Sequence, residues 1–252
     1  MGRAMDTSAR KHEVLGRGVY GTAEALQLVN FQRLAEEDHR HTVSMQTITR
    51  WLCGYDYEVG GETRHLDPLW RPDYAQEENT DKLIELSFRD LIELRFVKTF
   101  RDQGLSLQTI RVCFGRAVEA VHDERPFSTR RFRTDGRTIF LEITSDVKEG
   151  ELLDLKHRQN AFHRILAPSL RDLEFDAEVV ARWFPLGASR RHIVVDPARA
   201  FGRPIIVAGG VPTEIIAQAI KVEGSPERVA SLYEVPLPAV RDALEFQRHL
   251  LN

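Results

Sequence analysis

The chain has 252 residues, 42% of them hydrophobic and 29% charged, which is the composition of a globular protein large enough to bury a core. Its 35 Lys and Arg against 38 Asp and Glu give a formal net charge of -3, so a protein that coats nucleic acid by bulk charge is excluded, while a local basic face is not. Two cysteines are too few for a disulfide framework. No apolar run approaches the ~20 residues of a membrane span, and the polar first segment excludes a secretion signal. We therefore expect a cytoplasmic protein.

The first half of the chain predicts helices around a short hairpin, after a flexible lead over residues 1–18. Each predicted helix starts beside a hydroxyl residue that can cap it. These helices are expected over 22–29, 45–52, 88–103 and 107–121. Residues 55–66 alternate apolar and polar side chains around Gly60-Gly61, which predicts the hairpin. Residues 30–43 are polar and predict an irregular connection.

This order of a short helix, a capped helix, a hairpin and two long helices is the layout of a winged helix-turn-helix. In such a unit helix 45–52 would enter the major groove and read base edges with its N-terminal end, while the hairpin could contact phosphate. The predicted DNA contacts are Gln46, Thr47, Thr49 and Arg50 on the helix, and Arg64 and His65 on the hairpin. The alternative is a helical protein-interaction domain in which these side chains are only solvated.

The middle of the chain predicts a second hairpin and a basic cluster. The expected elements are a hairpin over 131–143, a helix over 158–173, and strands over 179–184 and 192–195. Asp135-Gly136 is a strong turn signal for this hairpin. Five arginines surround it: Arg125, Arg130, Arg131, Arg133 and Arg137. This arginine cluster could bind phosphate or an acidic partner, or it could be a charged edge that blocks pairing between sheets.

The C-terminal part predicts a helix-turn-helix. A short strand is expected over 205–207, and helices over 213–222, 226–232 and 238–250. The last two helices fit the motif because Ala230 can lie where they touch and apolar residues follow it at the expected offsets, although Glu234 stands where a turn glycine is usual. The second helix would expose Arg241, Glu245, Gln247 and Arg248. Its two arginines are predicted DNA contacts, while nearby acids disfavour phosphate contact. The alternative is a plain three-helix bundle.

The sequence lacks the motifs of several common enzyme classes. It has no phosphate-binding P-loop, no Gly-rich dinucleotide turn, no G-x-S-x-G and no metalloprotease motif. The run His39-Arg40-His41 has no pair of histidines at i, i+4 spacing, and we interpret it as a solvated loop rather than a metal site. We therefore expect a protein that is not an enzyme and that needs no cofactor or metal.

Two regions resemble known families. Residues 194–213, with an Asp196-Pro197 turn, and residues 223–246 resemble a small helical domain, the domain-of-unknown-function family four-hundred-and-thirty-three, which occurs in bacterial antitoxins. Residues 20–57 together with 87–121 resemble the winged helix-turn-helix of the MerR class. A chain that joins the two is similar to a mycobacterial VapB-type antitoxin, whose partner VapC is a PIN-domain ribonuclease.

The resemblance implies a mainly α fold with short β-hairpins. A MerR-like unit over 19–122 and a hairpin and connecting helix region over 123–190 would precede a homeodomain-like three-helix domain over 191–252. The implied function is a DNA-binding antitoxin of a type II toxin–antitoxin system that neutralises a VapC ribonuclease by direct binding and represses its own operon. A homodimer is expected because two-fold operators match two-fold proteins. The arginine cluster is the expected contact for the toxin's carboxylates.

The sequence leaves two other functions open. The first is a stand-alone MerR-like transcription regulator, in which residues 151–195 sense a small molecule or mediate dimerisation. The second is an interaction scaffold that does not contact DNA. The sequence also departs from the family patterns, because residues 30–43 replace the tight turn of a helix-turn-helix. VapB antitoxins are often short, with a tail that wraps the toxin, so their toxin-binding surface does not carry over to this chain.

Overall fold

The computed structural model describes residues 17–35, 42–75, 84–134 and 169–250, and within them the chain is mainly helical with short antiparallel strands. The α-helices are α1 (Thr22–Ala35), α2 (Met45–Cys53), α3 (Phe88–Asp102), α4 (Leu107–Val121), α5 (Thr213–Glu223), α6 (Pro226–Leu232) and α7 (Leu237–Leu250). Short 3-10 segments lie at Pro126–Ser128 and Ala200–Gly202. Across these described ranges, no helix has the length and apolar composition needed to cross a membrane.

The strands form two pairs and one small sheet. They are β1 (Tyr20–Gly21), β2 (Tyr55–Val59), β3 (Glu62–Leu66), β4 (Glu85–Leu86), β5 (Leu173–Asp176), β6 (Val179–Trp183), β7 (Ile193–Val195) and β8 (Pro204–Ile206). Strands β1 and β4 pair with each other, β2 and β3 form the hairpin, and the last four form a sheet in the order β5-β6-β7-β8. Every pairing between these strands is antiparallel.

Local capping explains why several helices begin where the sequence predicts. The hydroxyls of Ser44, Ser87 and Ser106 each accept a hydrogen bond from the backbone N–H three residues later, which satisfies one of the unpaired donors at a helix start. At Ser87 the bond is reciprocal, because the side chain of Asp90 accepts from the Ser87 backbone N–H. The predicted hairpin over 55–66, the strands near 179–184 and 192–195, and the three C-terminal helices are also confirmed, with small shifts at their ends.

Helix α1 is longer than predicted. It continues to Ala35, through residues that were expected to be irregular. The buried side chain of Asn30 donates to the Val43 carbonyl and accepts from the Val43 N–H, both at 2.9 Å, and the ring of Phe31 packs 4.5 Å from that of Phe246. These tertiary contacts stabilise the second half of a helix whose polar sequence gives no local reason to extend.

The predicted second hairpin is wrong where the structure describes it. Residues 130–134 are helical rather than extended. Thr129 starts this turn, since its hydroxyl accepts from the Phe132 N–H at 3.1 Å, and Phe132 is buried. The Asp135-Gly136 turn, the returning strand and most of the predicted helix over 158–173 lie outside the described residues. The end of that predicted helix is also shifted, because Leu173 begins strand β5.

One continuous hydrophobic core joins the N-terminal helices, the small sheet and the C-terminal helices. The same buried cluster contains residues from α1 to α4, the small sheet, and the C-terminal helices. The core includes a group of phenylalanine rings in which the centroids of neighbouring rings lie 4.8 to 6.3 Å apart: Phe96, Phe100, Phe114, Phe127 and Phe132. Arg95 connects α3 to the sheet region, with a 2.6 Å ion pair to Asp172 and its guanidinium 5.1 Å from the Trp183 ring.

Candidate nucleic-acid and partner interfaces

Helix α2 has one side in the core and the other at the surface. Ile48, Trp51 and Leu52 are buried, which holds the helix in a single orientation. On the opposite side, Gln46 and Arg50 are exposed. The Arg50 guanidinium lies 5.1 Å from the centre of the Tyr55 ring, a cation–π distance that limits the freedom of the arginine. The sequence therefore correctly predicts which side of this helix faces solvent.

The two threonines of α2 are less available than the sequence suggests. Thr47 and Thr49 are only half-exposed. The Thr47 hydroxyl lies 3.0 Å from the hydroxyl of Ser44, and the Thr49 hydroxyl donates to the Met45 carbonyl at 3.0 Å. Because a hydroxyl has one hydrogen to donate, Thr49 could meet a base edge only as an acceptor.

A glycine, Gly54, connects the end of α2 directly to the hairpin. Gly54 has φ 72°, and a Cβ at this position would overlap the carbonyl oxygen of Leu66, so only glycine fits. The following strands β2 and β3 pair Asp56 with His65 and Tyr57 with Arg64. Helix α2 and the hairpin therefore form one surface unit, which we call the α2–hairpin surface (residues 45–66).

The hairpin is acidic. Residues 55–67 contain four acids, Asp56, Glu58, Glu62 and Asp67, against one arginine. The two predicted phosphate contacts are exposed but lie beside carboxylates: His65 Nδ1 is 2.6 Å from Asp56 Oδ1, and Arg64 is 3.8 Å from Glu62. A cluster of carboxylates repels phosphate, so the charge of the hairpin disfavours phosphate binding.

The C-terminal helices meet at a turn in which Glu234 adopts a left-handed conformation. Its φ is 54°, at the position where the sequence pattern led us to expect glycine. The buried Val235 follows, with its N–H bonded to the Ala230 carbonyl at 3.0 Å. Val229 and Val240 are also buried, so the apolar spacing seen in the sequence does hold α6 against α7.

The exposed side of α7 carries paired charges. Arg241 and Arg248 are exposed, and Arg241 is bonded to Glu227 at 3.1 Å. Glu245 is paired with Arg190 at 2.8 Å. Gln247 was expected on this side, but it is buried and donates to the Thr213 hydroxyl at 2.7 Å. Its amide satisfies a core hydroxyl and is unavailable to DNA.

The arginine cluster is not a single surface. Arg125 is buried and makes a 2.7 Å ion pair with the fully buried Asp90 and a 2.8 Å pair with Asp73. This corrects the prediction that it contacts a toxin, because its charge is already neutralised inside the fold. Arg130 and Arg133 are exposed and lie against Phe175, one through its carbonyl and the other above its ring. Arg131 is exposed as well, and Arg137 lies outside the described residues.

Helix α3 buries two carboxylates that no sequence motif marks, Asp90 and Glu93. Asp90 accepts from the Trp70 indole at 3.0 Å and from Arg125 at 2.7 Å. Glu93 accepts from the backbone N–H groups of Phe127 and Ser128, at 3.2 and 2.9 Å, and its burial raises its pKa to about 8. The available signal was the apolar stripe of α3, which is wide enough to leave no solvent-facing side for these acids.

The described residues contain no group of three or more His, Cys, Asp or Glu side chains that could hold a metal ion. His192 and Asp242 do approach, with Nδ1 and Oδ2 2.7 Å apart, but Arg190 shares the same carboxylate. These contacts link the segment before strand β7 to helix α7.

Comparison with known proteins finds a structure of similar fold but no matching family. No family model matches the chain, and a comparison with curated proteins finds no match. The crystal structure of Rv2018 from Mycobacterium tuberculosis is similar, with a TM-score of 0.59 and 20% sequence identity over 84% of this chain and 95% of that chain. At this level of identity the likeness shows a shared fold, mainly helical with short antiparallel strands.

Proposed function

We propose that this protein is a DNA-binding antitoxin of a type II toxin–antitoxin pair, which reads operator DNA with helix α2 and neutralises a PIN-domain ribonuclease of the VapC type. The observation that carries the DNA-binding half is the geometry of α2. Three buried side chains fix the helix, and Gln46 and Arg50 on its opposite side are exposed beside the hairpin. The toxin-binding half rests on the resemblance of the sequence to VapB-type antitoxins.

The exposed residues of α2 have the chemistry of base recognition. A glutamine can make two hydrogen bonds to adenine, and an arginine can make two to guanine in the major groove. Gln46 and Arg50 are four residues apart in the sequence, so they project from the same side of the helix. Arg50 is further oriented by the Tyr55 ring, which reduces the side-chain entropy lost on binding.

The acidic hairpin sets the expected mode of binding. Because its carboxylates repel phosphate, few phosphate contacts are expected from the α2–hairpin surface. The affinity should then depend only shallowly on salt, since the slope of log K against log salt is about 0.9 per phosphate contact on duplex DNA. A homodimer on a two-fold operator would place two copies of α2 in successive major grooves and double these few contacts.

The DNA-binding half is tested with a duplex from the region upstream of the protein's own reading frame. We expect the double variant Gln46→Ala/Arg50→Ala to lose at least roughly tenfold in affinity in fluorescence anisotropy, since each good side chain–base pair contributes about 1–3 kcal/mol. The matched control is Gln108→Ala/Arg116→Ala, which removes two exposed side chains of the same types from α4. If both double variants bind as the wild type does, α2 is not the reading helix.

The toxin-binding half is tested by co-expression with the product of the adjacent reading frame. We expect that product to stop growth when expressed alone, this chain to restore growth, and the two to co-purify. A neighbour that is harmless by itself contradicts the antitoxin function, whatever the outcome of the DNA experiment.

A further inference from the structure

Helix α5 has one buried side and one side that presents apolar residues to solvent. Thr213 and Ile216 are fully buried, which fixes the helix against α6, α7 and β8. On the opposite side, Ile215 is 38% exposed and Val222 is 83% exposed. No other large apolar side chain in the described part of the chain is as exposed as Val222. Apolar groups that folding leaves together on one helix side are available to a partner.

The exposed residues of α5 form two parallel rows. Ile215 and Val222 are seven residues apart, close to two helical turns, so they share one edge of the exposed side. Glu214 and Lys221 have the same spacing and share the other edge. Gln218 is exposed and lies between the two rows, halfway along them. We call these five residues the α5 face.

The charged row has opposite charges at its two ends. At the first end, Glu214 is half-exposed and lies 2.9 Å from Arg203, and Glu24 is within electrostatic range of both. Two carboxylates thus share one guanidinium, which leaves an excess of negative charge. At the second end Lys221 is exposed, and within the described ranges it makes no ion pair. Each end of the row therefore carries the charge that would neutralise the other.

An antiparallel pair of α5 helices satisfies both rows at once. A two-fold axis beside Gln218 brings each row against the same row of a second copy, running in the opposite direction. Ile215 then packs on Val222 of the second copy, and Glu214 meets Lys221, and symmetry forms each contact twice. A parallel pair would instead bring the charged row against the apolar row, which costs desolvation of the charges without pairing them.

We propose that the α5 face is a dimer interface, on which a second copy of this chain packs with its own α5 antiparallel. The occupant follows from the charges, because a surface whose opposite charges lie symmetrically about its centre is complementary to itself. The inference gives a surface to the homodimer of the proposed function, but it rests on the geometry of α5 and not on DNA or toxin binding.

The size of α5 sets the expected strength of the dimer. The helix has 11 residues, and a pair of such helices buries less than the ~1,600 Å² of a standard interface. We therefore expect a dissociation constant on the order of micromolar, at the weak end of specific association. Because half of the face is charged and lies at the surface, the dimer should weaken as the salt concentration rises.

The first experiment measures self-association of the purified full-length protein by sedimentation velocity, over a concentration series around the expected dissociation constant. We expect Val222→Glu to weaken the dimer at least roughly thirtyfold, since symmetry places the carboxylate against an apolar side chain twice. The matched control is Val112→Glu, which changes a valine 45% exposed on α4 and should dimerise as the wild type does. Both valines are exposed, so both variants should keep the circular dichroism spectrum of the wild type.

The second experiment tests the antiparallel register by charge reversal. Glu214→Lys and Lys221→Glu should each weaken the dimer at least roughly tenfold, because each puts two pairs of like charges in contact. When the two variants are mixed, every contact in the row again joins opposite charges. We expect a heterodimer at the wild-type affinity, detected by sedimentation of one fluorescently labelled variant. The bond to Arg203 that Glu214→Lys also removes is not restored by mixing, so recovery can come only from the interface.

Three results overturn the inference. The first is a wild type that stays monomeric throughout the series, and the second is a Val222→Glu variant that dimerises as the wild type does. The third is a pair of charge variants that do not associate when mixed. If the wild type is monomeric and Val222→Glu loses the product of the adjacent reading frame, the α5 face belongs to that partner instead. The role of α2 in DNA binding is decided separately, by the anisotropy experiment.

Discussion

Two acids one turn apart on α3 are buried in different ways. Asp90 faces the guanidinium of Arg125, which compensates its charge inside the protein. Glu93 accepts hydrogen bonds from two backbone N–H groups of the Pro126–Ser128 segment, and desolvation outweighs these bonds, so its pKa rises from 4.5 to about 8. A carboxyl group in this position is easier to bury when protonated.

This difference predicts a pH dependence of stability. Since the pKa of Glu93 is higher in the folded state than its ordinary value of 4.5, its contribution to stability is complete below pH 4.5 and is lost as the pH rises through about 8. We expect the free energy of unfolding in urea to fall between pH 6 and pH 9 in the wild type. Glu93→Gln, which keeps the shape and stays neutral, should remove most of that decrease.

The control is Glu119→Gln, which neutralises an exposed acid on α4. It should leave the wild-type pH profile unchanged. Equal slopes for the wild type and Glu93→Gln between pH 6 and pH 9 would show that Glu93 is already ionised in the folded protein.

Helices α2 and α4 begin with the same kind of serine cap. The sequences Ser44-Met45-Gln46-Thr47-Ile48 and Ser106-Leu107-Gln108-Thr109-Ile110 have four of five residues identical. Both serines accept a hydrogen bond from the backbone N–H three residues later, at 3.2 and 3.0 Å. The two elements differ in their surroundings. Helix α2 has nine residues and α4 has fifteen, so the first turn is a larger part of α2.

We predict that both serine caps stabilise the protein but that only the cap of α2 affects DNA binding. Ser44→Ala and Ser106→Ala should each lower the free energy of unfolding by about 1 kcal/mol, the usual contribution of such a cap. Only Ser44→Ala should also weaken DNA binding, because it loosens the turn that carries Gln46. Chemical denaturation and fluorescence anisotropy of both variants measure the two effects. Equal DNA affinities for the two variants would mean that the start of α2 does not meet the duplex.

At the scale of the whole molecule, the N-terminal and C-terminal helices stabilise each other. Helix α7 packs on α1, with the Phe31 and Phe246 ring centroids 4.5 Å apart. The Tyr20 hydroxyl bonds a carbonyl 182 residues away. Both contacts belong to one continuous core, so the N-terminal and C-terminal units are expected to unfold together even if each has its own function.

This coupling is tested with Phe31→Ala. Removal of a buried phenylalanine ring is expected to cost about 3–5 kcal/mol, and the loss should lower one shared transition rather than split it. Far-UV circular dichroism follows the helices, while fluorescence follows Trp51, Trp70 and Trp183, which are all buried. Val112→Ala, at a site 45% exposed, is the control. Two separate transitions in the Phe31→Ala variant would show that the C-terminal helices form an independent unit.

The sequence by itself determined the features that depend on neighbours within a few residues. Ser44, Ser87 and Ser106 start their helices because the bonds they make close within one turn. The alternation around Gly60-Gly61 specifies the hairpin, and the buried stripe of α2 also leaves its polar side outside. The predicted exposed side of the candidate DNA-binding helix follows from periodicity alone.

Only the tertiary structure decided the features that depend on distant partners. Arg125 looked like part of a surface cluster, but it neutralises Asp90, 35 residues away in the chain. Helix α1 extends because Phe31 meets Phe246. The exposed Phe201 keeps a left-handed backbone, with φ 56°, where its carbonyl accepts from the Val19 N–H. Burial and backbone strain depend on long-range contacts between segments, and a local sequence pattern does not specify which segments make those contacts.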